Sequence, residues 1–305
     1  MGLGYFSGFS IRLIEKSGAD DFFSTSGKTL LEMQSETAFT GKDPVCILAD
    51  PFLVSKDGEI FLFYECQKKR YGKGDLRMRK TRDLVHWSDE KVVLEENFHL
   101  SFPNVFEHEG NTYMIPETGA DGSIRLYKAD DESLEKWSLE RTIVNDGQLW
   151  ADSDIFFKDG YCYLFSSTYS HKEPKAHLFV SESLTDTEFR EHPLSPYCSS
   201  PSSARNAGRI FSYEGRLFRP VQDCSEGYGK QISIMEITDI SPESYREVLY
   251  RKHILPEEDF YKRGGHQFCP LFACGRTIVA TDAKVRNFNF RENVNGYTHH
   301  LFKKH

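Results

Sequence analysis

Runs of alternating apolar and polar residues turn back on themselves at a glycine five times in this chain, at a spacing of roughly 50 to 60 residues. The first unit reads Ala49-Asp50-Pro51-Phe52-Leu53 up to Asp57-Gly58 and returns as Ile60-Phe61-Leu62-Phe63-Tyr64-Glu65. The other four close at Gly110, Gly160, Gly215 and Gly275. After the first four hairpins comes a third alternating run, such as Ile124-Arg125-Leu126-Tyr127, then an acidic turn and a large aromatic: Trp87, Trp137, Phe189 and Tyr245. Period-two alternation of β-branched and aromatic residues is the pattern of a half-buried strand, so each unit predicts four antiparallel strands.

Small antiparallel sheets repeated at this period are the signature of a β-propeller, and five units predict five blades. The chain start fits the same frame. Ser10-Ile11-Arg12-Leu13-Ile14-Glu15-Lys16 matches the third strand Ser123-Ile124-Arg125-Leu126-Tyr127-Lys128, and Phe23 with Lys28-Thr29-Leu30-Leu31-Glu32 matches Trp87 with Lys91-Val92-Val93-Leu94-Glu95. The fifth unit has first and second strands but no comparable third and fourth. The N-terminal strands are therefore expected to complete the last blade, closing the ring and removing exposed sheet edges. Residues 297–302 are a further strand candidate without an assigned place. A ring divides burial among repeated interfaces, so residues 1–305 are expected to form one all-β domain.

In such a ring the first strands line a central channel. Counting eight residues back from the hairpin glycine gives Asp50 in the first unit and Asp152 in the third, with Asp154 beside it. Each aspartate opens an otherwise apolar strand, where a bare buried carboxylate would cost several kcal/mol, so it must be hydrated, hydrogen-bonded or paired. A turn-capping role is the plainer alternative. Counting seven forward gives Glu65, Glu117, Ser167, Gln222 and Asp282, polar in all five units. These either hold the neighbouring blade's backbone or face the channel, or both. Arg205, Asn206, Arg219, Asp223 and His266 fall near the same axis. An arginine there lowers carboxylate pKa values and can fork onto a ligand's carboxylate or phosphate. His266 reads either as a packed, hydrogen-bonded histidine or as a proton shuttle or metal ligand.

Charge and cysteines narrow the classes. A net charge of -8 argues against a nucleic-acid surface. Lys68, Lys69, Arg70, Lys73 and Arg77 form a local basic stretch that reads as a solvated loop or an anionic-ligand contact. No apolar run reaches membrane-spanning length and no signal peptide is evident. Seven cysteines, an odd number without zinc spacing, suit reduced thiols and a cytoplasmic location. No phosphate loop, zinc pattern or Ser-His-Asp spacing stands out.

Ala-Asp-Pro before an alternating strand, a second aspartate at the matching place two units on, and Asp83-Leu84-Val85-His86-Trp87 on an outer strand resemble the five-bladed arabinanase, xylosidase and invertase clan of glycoside hydrolases. A closer resemblance covers nearly the whole chain. Ser101-Phe102-Pro103, Met114-Ile115-Pro116-Glu117-Thr118, Ser203-Ala204-Arg205-Asn206-Ala207-Gly208-Arg209 and Arg219-Pro220-Val221-Gln222-Asp223-Cys224 are similar to the N-terminal propeller domain of plant glucosamine inositolphosphorylceramide transferases and of bacterial formyltransferase-like fusion proteins.

The clan implies catalysis by Asp50 as base or nucleophile, with Asp152 or Asp154 orienting and tuning, and Glu117 as the available proton donor. Glu65, Arg205, Asn206, Arg219, Gln222, Asp223, His266 and Asp282 would bind substrate. The clan's usual Glu-Gly-Pro acid motif precedes none of the five first strands here. Carboxyl groups about 5 Å apart would retain, and about 6.5 to 9.5 Å apart would invert, the anomeric configuration. The resemblance implies no required cofactor, with an axial calcium or sodium ion near His266 as a clan feature. Its implied partners are a sugar or glycoconjugate and a separate glycosyltransferase or formyltransferase-type enzyme. Two other classes remain open: a glycan-binding accessory module, and a glycosyltransferase or phosphorylase using Arg205 and Arg219 on phosphate.

Overall fold

The computed structural model describes residues 6–35, 45–68, 72–168, 173–273 and 275–287. Lys69, Arg70, Cys274 and the strand candidate at 297–302 lie outside them. The first strands are β1 (Phe6–Lys16), β2 (Lys28–Met33), β3 (Ile47–Lys56), β4 (Glu59–Gln67), β5 (Asp75–Thr81) and β6 (Lys91–Leu94). Next come β7 (Ser101–His108), β8 (Asn111–Glu117), β9 (Ser123–Ala129) and β10 (Trp137–Asn145), then β11 (Trp150–Lys158), β12 (Tyr161–Thr168), β13 (Ala176–Ser181) and β14 (Arg190–Glu191). The last are β15 (Phe211–Tyr213), β16 (Arg216–Asp223), β17 (Gln231–Ile240), β18 (Tyr245–Arg251), β19 (Phe268–Ala273) and β20 (Arg276–Asn287). Among the described residues the only helical element is a short 3-10 turn, Gly119–Asp121.

Strands β7 to β10, β11 to β14 and β15 to β18 each form an antiparallel four-stranded sheet. The remaining strands form an eight-stranded sheet ordered β19-β20-β1-β3-β4-β5-β6, with β2 on β1. The N-terminal strand pairs antiparallel with β20 from Phe6↔Asn287 to Lys16↔Thr277, as the sequence pattern anticipates. Its link to β3 is one parallel pair, Phe9↔Ile47.

Hairpin chemistry explains the repeat. Asp57-Gly58 puts two successive residues in the left-handed region, φ 49° and 73°, the type I′ geometry that matches strand twist and favours glycine second. The same pairing recurs at Glu109-Gly110, Asp159-Gly160 and Glu214-Gly215. Inner strands β3 and β4 are buried almost throughout, whereas β10 and β18 are mostly exposed, so burial falls from the first strand of a unit to the last. Adjacent units meet through aromatic pairs: Phe63 on Trp137 (5.9 Å), Phe106 on Phe157 (5.8 Å), Phe165 on Tyr245 (5.6 Å) and Phe211 on Phe268 (6.1 Å). Such contacts join sheets that share no ladder.

The fourth unit departs from expectation. Its first strand is only three residues, because the chain before it runs too close to β19: a Cβ on Gly208 would lie 2.2 Å from the Phe268 carbonyl oxygen. There Ala207 and Gln222 take isolated backbone bonds, Ala207 N–H to Pro220 O and Gln222 N–H to Arg205 O, both 2.9 Å.

Candidate active site

Three first strands carry the same irregularity at the same place. Register slips by one residue between Ala49 and Phe52 in β3, Ser101 and Asn104 in β7, and Ala151 and Asp154 in β11, so two residues of each first strand oppose one of its partner. The bulge residues Asp50, Phe102 and Asp152 have φ of 51°, 46° and 51°. Aspartate reaches this left-handed region with little strain because its short side chain bonds locally, whereas phenylalanine does not. Phe102 is kept there by complete burial and by its edge contact with Phe52 at 4.8 Å. A bulge re-aims the side chain it carries. Asp50 and Asp152 thereby line one cavity, while Asp154, two residues on, does not.

Carboxylates of neighbouring units hold the bulges. Asp50 N–H donates to Asp282 Oδ2 (3.2 Å), Phe102 N–H to Asp50 Oδ2 (3.1 Å), and Asp152 N–H to Glu117 Oε2 (3.2 Å). Asp152 Oδ2 accepts Arg205 Nε and Gln222 Nε2 at 2.8 and 2.9 Å, and Arg205 Nη2 stands 2.6 Å from it and 3.8 Å from Glu117 Oε2. His266 Nδ1 lies 2.7 Å from Asp282 Oδ2 and 3.5 Å from Asp50 Oδ1. Asp282 Oδ1 accepts the backbone N–H groups of His266 and Gln267.

The cavity, about 330 Å³, is walled by Asp50, Glu65, Glu117 and Asp152, by Arg205, His266 and His99, and by Phe9, Trp150 and Tyr228. Its carboxyls are unusual acids. Burial, with the Asp282 and Asp152 charges, pushes Asp50 up to about 7 against the pull of His266. Burial, then Asp152, pushes Glu117 up to about 8 against the pull of Arg205. Glu65 is driven well above the carboxylate range by burial and by Asp50, Glu117, Asp282 and Asp152. Burial alone would lower His266, but Asp282 and Asp50 outweigh it and leave it raised. Desolvation and like charges thus keep protons in this cavity near neutral pH.

Of the twelve residues singled out from sequence, six line the cavity: Asp50, Glu65, Glu117, Asp152, Arg205 and His266. Asp282, Asn206 and Gln222 stand behind its wall. Asn206 Nδ2 donates to Asp152 O (2.7 Å) and Gln222 Nε2 to Asp152 Oδ2. The other three lie away from it. Asp154 accepts Asn104 Nδ2 (2.6 Å) and the backbone N–H of Ile155 (2.9 Å) and Ile210 (2.5 Å). Arg219 is fully buried, with Nε and Nη2 forked onto Glu247 (2.9 and 2.7 Å), Nη1 donating to Asn206 Oδ1 and Nη2 also to Ser203 O. Its donors are committed inside the protein, so it offers phosphate nothing. Asp223 accepts from Ser225 and pairs with His253 Nε2 at 2.9 Å.

In the basic stretch, Lys73 pairs with Glu95 and Arg77 with Asp75 and Glu90. Phe9, His99, Trp150 and Tyr228 were missed. Tyr228, in Gly227-Tyr228-Gly229, was the one with a visible signal, an aromatic flanked by loop glycines.

Asp50, His266 and Asp282 converge closely enough to suggest a cation site, their ligand atoms lying within 4.8 Å of one another. The donor set does not fit calcium. Ligands about 2.4 Å from a shared ion at right angles stand about 3.4 Å apart, and calcium prefers six to eight oxygens. Nδ1 and Oδ2 at 2.7 Å leave room for a proton between them, not an ion.

The family described as "Glucosamine inositolphosphorylceramide transferase 1, N-terminal" matches residues 30–260. Glucosamine inositolphosphorylceramide transferase 1 of Oryza sativa subsp. indica is 35% identical over 218 residues, covering 70% of this chain and 29% of that protein. Its Arabidopsis thaliana counterpart is 36% identical over 212 residues, covering 67% and 27%. The chain therefore spans under a third of the length of these relatives. Among solved structures, the α-L-arabinofuranosidase of Podospora anserina, in complex with cellotriose, superposes with TM-score 0.59 at 11% identity, covering 80% of this chain and 93% of that one. The Bombyx mori family 32 β-fructofuranosidase superposes with TM-score 0.53 at 14% identity, covering 78% and 60%. At such identities the likeness speaks to the fold, an all-β propeller of the glycoside hydrolase kind.

Proposed function

Because the chain belongs to the glucosamine inositolphosphorylceramide transferase 1 N-terminal family, we propose that it is a five-bladed, carbohydrate-active propeller that cleaves a glycosidic bond of a glycan or glycoconjugate in the acidic cavity. The eight-stranded sheet is read as two blades, β3 to β6 and β19, β20, β1, β2. The eleven residue pairs between β1 and β20, against one between β1 and β3, support that division and ring closure by the N-terminal strands.

Glu117, protonated near neutrality, gives its proton to the leaving glycosidic oxygen as the C–O bond breaks. Asp50, its anion stabilised by Phe102 N–H and His266, either takes a proton from the attacking water or attacks the anomeric carbon itself. Asp152 is pinned by Arg205 and Gln222. It raises Glu117's proton affinity, and its N–H fixes Glu117 Oε2. Trp150, Phe9 and Tyr228 offer apolar faces to sugar rings. The observation that carries this reading is a pair of carboxyls from different units, both with raised pKa, facing one cavity.

The absent Glu-Gly-Pro motif favours a second reading, glycan recognition without turnover. Incubation with a panel of oligosaccharides and inositol-phospholipid glycosides separates the two. Released reducing sugar that disappears in Asp50→Asn and Glu117→Gln supports hydrolysis, and NMR of the first anomer formed assigns retention or inversion. Bound but unaltered sugar supports recognition alone. Phosphorolysis or transfer would need turnover dependent on phosphate or a sugar nucleotide, against the commitment of Arg219 to Glu247. Among the described residues six cysteines are free, which suits a reducing compartment such as the cytoplasm, and no helix is long and apolar enough to cross a membrane. A separate glycosyltransferase or formyltransferase-type enzyme is the companion this reading expects.

A further inference from the structure

Resting on the role proposed for Asp50, we infer that Arg209, which does not line the cavity, is the positioning residue that fixes Asp50's aim by tying its strand to the neighbouring first strand beneath the cavity floor.

Asp50 Oδ2 accepts Phe102 N–H at 3.1 Å, so the aim of this carboxylate depends on how far β3 stands from β7. Those strands belong to different sheets. Their bulge residues, Asp50 and Phe102, both stand in the left-handed region, and phenylalanine has no polar side chain to bond locally there. Near the bulges the spacing is set from outside the two strands.

Arg209 sets it from the fourth unit. Its Nη1 donates to Leu53 O at 3.4 Å and its Nη2 to Val105 O. Leu53 follows Asp50 by three residues and Val105 follows Phe102 by three, so one planar group bridges the two strands at the same step past each bulge. The guanidinium carbon also lies 5.7 Å from the centre of the Phe52 ring, and Phe52 meets Phe102 edge-on at 4.8 Å. Fork and rings together reach both partners of the bond between Asp50 and Phe102. A displacement there re-aims the carboxylate without touching the ligand.

The charge of Arg209 and its geometry act on different acids. Asp154, in the third unit, feels the charge: Arg209 and the surrounding N–H donors pull it down against burial, which leaves it at about 6. Asp50 is governed by burial, by His266, Asp282 and Asp152, and by the Phe102 N–H. Lysine at position 209 would keep a cation near Asp154. As a point donor on a flexible stem it would not hold two carbonyls in one plane.

Carbon-13 NMR of the full chain, labelled at the aspartate carboxyl carbon, tests this in the unaltered protein, Arg209→Met and Arg209→Lys, with signals assigned by their loss in Asp50→Asn and Asp154→Asn. In Arg209→Met both groups should titrate at higher pH, Asp50 by about one pH unit as its bond to Phe102 loosens. In Arg209→Lys Asp154 should return to about 6 while Asp50 stays above its native value of about 7. An Asp50 titration unchanged in both variants would overturn the inference and leave Arg209 a brace for stability alone. Recovery of Asp50 together with Asp154 in the lysine variant would overturn it too, since charge would then be the whole effect. Should methionine prevent folding, the lysine variant decides by itself. Titration needs no turnover, so the two readings fail separately: a shifted Asp50 in a protein that cleaves no sugar removes the hydrolase and leaves the positioning, and an unmoved Asp50 beside hydrolysis lost in Asp50→Asn does the reverse.

Discussion

Replacing Glu117 by glutamine should remove one identifiable part of the protein's pH-dependent stability. In the native cavity this carboxyl is raised from 4.5 to about 8 by burial and by Asp152. Between those values the native state holds a proton that the unfolded chain has already lost. The stabilisation is fully present below the unfolded pKa and is lost as pH rises towards the native one. A proton held only by the native state makes stability fall by roughly 1 kcal/mol or a little more per pH unit inside that window, so this group alone removes about 2 to 3 kcal/mol between about pH 5.5 and about pH 7.5. Glutamine cannot ionise, and its Oε1 can still accept Asp152 N–H. Urea denaturation at both pH values reads the effect as a change in midpoint at constant slope. The stability difference should shift in favour of Glu117→Gln by about 2 to 3 kcal/mol on going to the higher pH. Asp50 and Glu65 contribute with the same sign and remain in the variant, so its stability still declines, less steeply. Parallel curves for the two proteins would refute the burial and charge environment assigned to Glu117.

Arg205→Gln leaves Asp152 buried without its cation and should cost about 3 to 5 kcal/mol in denaturant titrations. It also removes the charge that pulls Glu117 down, so any hydrolytic activity that survives should lose its general acid at higher pH than in the unaltered protein, read from the pH–rate profile. Deleting residues 6–16 strips β1 from β20 and exposes a long edge. Size-exclusion chromatography should then show aggregate that the unaltered protein does not form, and a folded, non-aggregating protein lacking β1 would count against ring closure by the chain start.

Four of the six expected residues that line the cavity could be found by counting from hairpin glycines, because a periodic fold returns the same offset to the same place in space. Asp50 and Asp152 at one offset, and Glu65 and Glu117 at the other, all reach the cavity. Counting puts Asp152 at the offset of Asp50, but what turns Asp152 into the cavity and Asp154 away from it is a one-residue bulge with no sequence marker: in the second unit phenylalanine occupies the left-handed position. Arg219 and Asp223 sit on the same strand as Gln222, which supports Asp152, yet they spend their charges on Glu247 and His253, partners 28 and 30 positions away. His99 and Tyr228 enter the cavity from loops, and Phe9 and Trp150 from strand ends where other units carry unrelated residues such as Leu48 and Leu100, so no shared chemistry at one offset points to them.

What the amino-acid order determined by itself is local: strand periodicity, type I′ turns at Asp-Gly and Glu-Gly, four strands to a unit, and a chain start shaped like a missing third strand. These depend on interactions within a few residues or across one hairpin. Tertiary structure alone decided which carboxyls share a desolvated space and which arginine neutralises which acid. Proton affinities near neutrality arise there because like charges from separate units are brought together away from water, and no property of a single strand encodes that meeting.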